Sequence, residues 1–79
     1  MNSLEIQVDA DVLIDRTLHE AERILLNNKV YFGNHKKSIE SLNVVNRDGQ
    51  YLSRDRDVNE TRLNVHITKG LISMIEFIG

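Results

Sequence analysis

Leu63-Asn64-Val65-His66-Ile67 is the most regular strand signal in the chain. Leu63, Val65 and Ile67 fall on one side, while Asn64, His66 and Thr68 fall on the other. This period of two marks a strand with one buried face. Immediately upstream lies a polar stretch from Arg47 to Thr61 (RDGQYLSRDRDVNET), whose apolar residues are Tyr51, Leu52 and Val58. Before it, Leu42 to Val45 reads as a second strand, stopped by the turn-forming Asn46-Arg47-Asp48-Gly49. So long a loop in so small a domain is functional or disordered as a rule. Tethered by a strand at each end, it is expected to be the working part of the molecule. Its length also suits a parallel pairing of the two flanking strands, which a two-residue hairpin cannot join. Downstream, Lys69-Gly70 marks a hairpin turn, and Leu71 to Ile78 forms the last strand.

The N-terminal half supplies the second layer. Leu4, Ile6 and Val8 alternate with Glu5 and Gln7, predicting a short strand broken at Asp9-Ala10-Asp11. Ile14, Leu18, Ala21 and Leu25, with Ile24 beside them, recur at helical spacing. Thr17 and Glu20 have the spacing of a capping box, in which each side chain satisfies a backbone N–H left free at the helix start. The helix is expected from about residue 17 to 27, ending at Asn27-Asn28. Val30-Tyr31-Phe32 is consistent with a short strand, and the rest of 29–41 has no clear periodicity. The expected fold class is α+β: one helix packed on a small mixed sheet, with a long exposed loop between two strands. Leu63, Val65, Ile67, Ile72, Ile75 and Phe77 are the expected core.

Composition narrows the function classes. The 79 residues make one domain, and 41% hydrophobic with 28% charged residues is a globular balance. A net charge of −2 argues against nucleic-acid binding by general phosphate attraction. There is no cysteine, hence neither a disulfide framework nor a thiolate metal site. No stretch has the length and apolarity of a membrane span, and the N-terminal residues lack a signal-peptide pattern. A cytoplasmic location is the default expectation, or a secreted one if a leader has been removed. There is no proline to stiffen the long loop, so side-chain hydrogen bonds must do so.

The final part of the chain carries a resemblance. Asp57, the run Arg62-Leu63-Asn64-Val65, a glycine-containing turn, Ile72 and Gly79 resemble the potato inhibitor I superfamily of serine-protease inhibitors, in particular its small microbial branch. The helix Thr17-Leu18-His19-Glu20-Ala21-Glu22-Arg23 is similar to the single helix of that fold. The likeness covers most of the chain from residue 13 onward, with an extra stretch between the helix and the first strand. It implies a non-enzymatic inhibitor that binds a protease in a substrate-like manner through residues 53–59. The implied binding residues are Arg54, Asp55, Arg56, Asp57, Val58 and Asn59, with the reactive bond between Arg56 and Asp57. Arg56 would enter the primary specificity pocket, which suits a trypsin-like enzyme; a subtilisin-like target is the other expectation. Arg62 would support the loop from beneath through Asp57, and Asn64 or its neighbour would supply a second support.

Other constellations carry less. Asp55, Asp57 and Asn59 have the first spacings of an EF-hand, but Glu60 replaces its glycine and His66 its bidentate glutamate. No metal and no cofactor is therefore expected. His19, His35 and His66 are scattered and read as surface histidines, with His66 placed to line the underside of the loop. Ser41, Ser53 and Ser73 lack a nucleophile-elbow context. The alternative reading is a protein–protein interaction module that keeps an inhibitor-like scaffold without inhibiting a protease. Its contact surface would be Tyr31-Phe32 or an exposed sheet edge. A third is edge-paired association through Leu4 to Val8, which would make a weak homo-oligomer of an otherwise monomeric chain.

Overall fold

The computed structural model describes residues 7–52 and 57–79. Strand β1, Gln7–Asp9, leads into a short 3₁₀ turn, Ala10–Leu13, and then into helix α1, Leu18–Asn27. Strands β2, Lys29–Tyr31, β3, Ser41–Arg47, β4, Gln50–Tyr51, β5, Arg62–Thr68, and β6, Leu71–Ile78, follow. They form two sheets: a parallel pair β1–β2 and a four-stranded sheet in the order β4-β3-β5-β6. β3 and β5 run parallel, while β3–β4 and β5–β6 are antiparallel. The described residues thus form one α-helix with a small mixed sheet, an α+β fold.

Local chemistry fixes the helix. Thr17 Oγ1 accepts from Glu20 N–H at 3.1 Å, and Glu20 Oε1 accepts from Thr17 N–H at 3.0 Å. These bonds satisfy two of the backbone donors that every helix start leaves free. They also hold the Glu20 carboxyl below the usual carboxylate range, chiefly through the Thr17 backbone bond. Asn27 and Asn28 donate side-chain amides to the carbonyls of Arg23 and Ile24, closing the other end. Thr17→Ala is expected to cost about 1 kcal/mol of stability, read as a lower urea midpoint.

Ala21, fully buried, lets the helix approach the sheet closely, and Leu18, Ile24 and Leu25 pack around it. The core beneath comprises Ala10, Leu13, Val30, Ile39, Leu63, Val65, Ile67 and Ile72. Ile75 is only partly buried. Ile39 comes from the stretch without periodicity; its N–H donates to Val30 O at 2.7 Å, which turns its side chain into the core.

The structure corrects three expectations. The first strand includes Asp9, which then caps the 3₁₀ turn by accepting from Asp11 N–H; Leu4 to Ile6 lie outside the described residues. The second strand covers Lys29–Tyr31 and leaves Phe32 beyond its end. The stretch after β3 is not an uninterrupted loop. Asp48 and Gly49 have φ of +52° and +86°, the left-handed conformations that a two-residue hairpin turn requires, and β4 folds back on β3. Asp48 Oδ1 also accepts from Lys69 N–H at 2.8 Å, tying this turn to the β5–β6 turn.

Candidate functional site

Parallel β3 and β5 start at the same end of the sheet, so the chain leaving β4 must return along its length before β5 begins. Residues 57–61 are the last part of that return. Arg62, the first residue of β5, is half-buried and reaches in two directions. Its Nη2 donates to the carbonyl of Asp57 at 2.7 Å, and its Nε donates to the main-chain oxygen of Gly79 at 2.8 Å. Gly79 N–H returns a bond to Arg62 O at 3.0 Å. Asn64, 4% exposed, donates to the same Gly79 oxygen at 3.1 Å and accepts from the Asn43 amide at 3.2 Å. The guanidinium therefore joins the returning loop to the end of β6, and Asn64 braces that end from the neighbouring position.

The loop leg has its own turn. Asn59 Oδ1 accepts from both Thr61 N–H and Thr61 Oγ1 at 2.9 Å, while Asn59 O accepts from Arg62 N–H at 3.3 Å. This Asx-type geometry fixes the bend locally. Val58 is 83% exposed beside it, and Asp57 and Asn59 are also exposed. Arg54, Asp55 and Arg56, together with Ser53, lie outside the described residues.

Four further residues hold this leg, and sequence reasoning missed them. The ring of His35 bonds through Nε2 to the carbonyl of Glu60 at 2.6 Å, and Lys37 forms an ion pair with the Glu60 carboxylate. Glu40 and Ser41 both donate main-chain N–H groups to Thr61 O. His35 is thus half-buried against the loop base and not a freely solvated surface histidine. Nothing in the local sequence signals these contacts, because 33–40 has neither helical nor strand periodicity.

Lys37 lowers the Glu60 carboxyl below its ordinary value, through the hydrogen bond first and charge attraction second, with a smaller contribution from His35. Glu60 in turn raises the Lys37 ammonium. A carboxyl depressed on folding contributes stability above its ordinary value of 4.5 and loses it as pH falls through the folded value. A raised ammonium contributes below 10.5 and loses that as pH rises through its folded value. Glu60→Gln is therefore expected to flatten the acid side of the stability profile, compared by urea midpoints at neutral pH and in acid. Both groups are exposed, so the change is small.

His66 lies elsewhere on the sheet. Its Nε2 meets Glu76 Oε2 at 2.7 Å, and its ring stands edge-on to Tyr51 with centroids 5.7 Å apart. It therefore backs the start of the loop stretch, at β4, and not the Asp57–Thr61 leg. His19 is exposed on α1. Among the described residues, no three His, Asp or Glu side chains converge on a metal position. No protein-family model, curated protein or solved structure matches this chain.

Proposed function

We propose that this protein is a non-enzymatic serine-protease inhibitor that binds its target in a substrate-like manner through residues 53–59, with Arg56–Asp57 as the reactive bond. The observation that carries this reading is the Arg62 bridge from the Asp57 carbonyl to Gly79, one residue beyond that bond. The family resemblance of Asp57 and Arg62-Leu63-Asn64-Val65 supports it independently. A loop held before binding loses less conformational freedom on docking, so modest contact area gives useful affinity.

The same brace bears on the fate of the bond. Attack by the protease serine on the Arg56 carbonyl gives an acyl-enzyme and frees the α-amine of Asp57. Arg62 retains Asp57 by its carbonyl, while the Asn59 turn and the His35–Glu60 contact hold the residues behind it. The amine stays beside the acyl carbon and re-forms the peptide faster than water hydrolyses the ester. The Arg56 side chain selects a trypsin-like pocket by pairing with the carboxylate at its floor.

Incubation with trypsin and with subtilisin tests the proposal. Saturable inhibition, a single slow nick between Arg56 and Asp57, and loss of trypsin inhibition in Arg56→Gly are expected. Rapid digestion at several arginines without inhibition would overturn it in favour of an interaction module.

A further inference from the structure

A second surface, independent of the loop, lies where α1 passes the outer edge of β3. β4 pairs with β3 at Asn46 and Arg47, and Leu52 N–H reaches Val45 O. Among the described residues, no strand pairs with Ser41–Val44 on that side. Ser41 N–H points the other way, to Thr61 O at the start of β5. Up to the register shift between Val44 and Asn46, the alternation of a parallel ladder turns the N–H and C=O of Leu42 and the N–H of Val44 outward, where among the described residues they offer a strand's hydrogen-bonding edge.

Beside this edge is a groove of about 200 Å³ lined by Glu22, Leu25, Leu26, Glu40, Ser41 and Leu42. Leu26 is 85% exposed and stands off the packed face of the helix. The volume suits one or two aliphatic side chains and falls short of the roughly 300–1,000 Å³ of small-molecule sites. The charged residues lining it are both acidic, Glu22 from the helix and Glu40 from the approach to β3. Glu40 lies one residue before β3, at the same end of the groove as Ser41 and Leu42.

We infer that this edge takes an extended basic–apolar peptide segment by strand addition. Main-chain bonds to Leu42 and Val44 supply the pairing, and the apolar groove takes an aliphatic side chain. A lysine or arginine two positions away on the visiting strand meets Glu40 or Glu22. A second copy of this chain fits less well, because it would bring its own Glu22 and Glu40 to an acidic rim.

The test uses a fluorescein-labelled peptide, Lys-Thr-Leu-Thr-Leu-Thr-Lys, and a counterpart with glutamate in place of both lysines. The full chain is expected to bind the basic peptide at least tenfold tighter at low salt, with the preference shrinking as salt rises. Amide exchange should slow at Leu42 and Val44. N-methylation of the peptide amides that face β3 should abolish binding, while methylation of the alternate amides leaves it intact. Glu22→Lys with Glu40→Lys, both at exposed positions, should reverse the preference between the two peptides. Equal affinity for both peptides, or protection confined to other residues, would overturn the inference. Failure of the basic peptide to bind, or a concentration-dependent dimer in its place, would do so as well. None of these readouts depends on protease inhibition.

Discussion

Replacing Arg62 with alanine is expected to destabilise the protein by about 2 kcal/mol and to convert the loop from a held segment into a readily cut one. The guanidinium makes charge-assisted bonds to two main-chain oxygens, and such bonds contribute about 1.5–3 kcal/mol when sheltered. Arg62 is only half-buried, so both bonds are partly open to water and the expected loss falls below their sheltered sum. In a domain of this size, about 2 kcal/mol lowers the melting temperature by roughly 8–16 °C. Arg62→Lys should recover only part of the loss, because an ammonium on a flexible stem does not reproduce the planar fork that spans Asp57 and Gly79. Under the proposed function, Arg62→Ala changes a slowly nicked inhibitor into a substrate, cut by trypsin at the 53–59 stretch. Unchanged melting and unchanged digestion together would remove Arg62 as the brace.

Leu63→Ala, one residue further along β5, is expected to have a larger and different effect. Leu63 is fully buried in the main core. Leucine-to-alanine changes in such positions cost about 2.7–5 kcal/mol, counting the lost burial and the cavity left behind. A domain of this length commonly has only about 3–5 kcal/mol to lose. The variant should be largely unfolded at room temperature, with little cooperative change left in a urea titration followed by circular dichroism. Leu63→Met, which nearly conserves volume, should stay folded at a cost below about 1.5 kcal/mol. A native-like urea midpoint for Leu63→Ala would show that the packing at β5 is less tight than its burial indicates. The pair Arg62→Ala and Leu63→Ala separates display of the loop from existence of the fold.

Much of the framework is legible in the sequence because it is encoded by neighbours. Thr17 and Glu20 announce the helix start through bonds spanning a single turn. The alternation of Leu63, Val65 and Ile67 places three buried side chains on one sheet face. The length of the stretch between β3 and β5 points to their parallel pairing. The hairpin at Asp48-Gly49 was within reach of the same reading, since a two-residue turn with glycine second is a hairpin signal. It was missed because the strand it starts is only two residues long, too short for any period to show.

The chain's own order of residues therefore settled the helix, the long strands β3, β5 and β6, the apolar face of β5, and that a charged stretch joins two parallel strands. Beyond the Arg62–Asp57 support that the resemblance implied, tertiary structure alone decided what grips that stretch. His35 and Lys37 reach Glu60 across 25 and 23 residues, and Arg62 reaches Gly79 across 17. Periodicity and capping act over a turn or a strand pair, so they carry no information about partners that meet only when the sheet closes. Side-chain reach and the register of β3 on β5 bring those groups together, and both exist only in the folded chain.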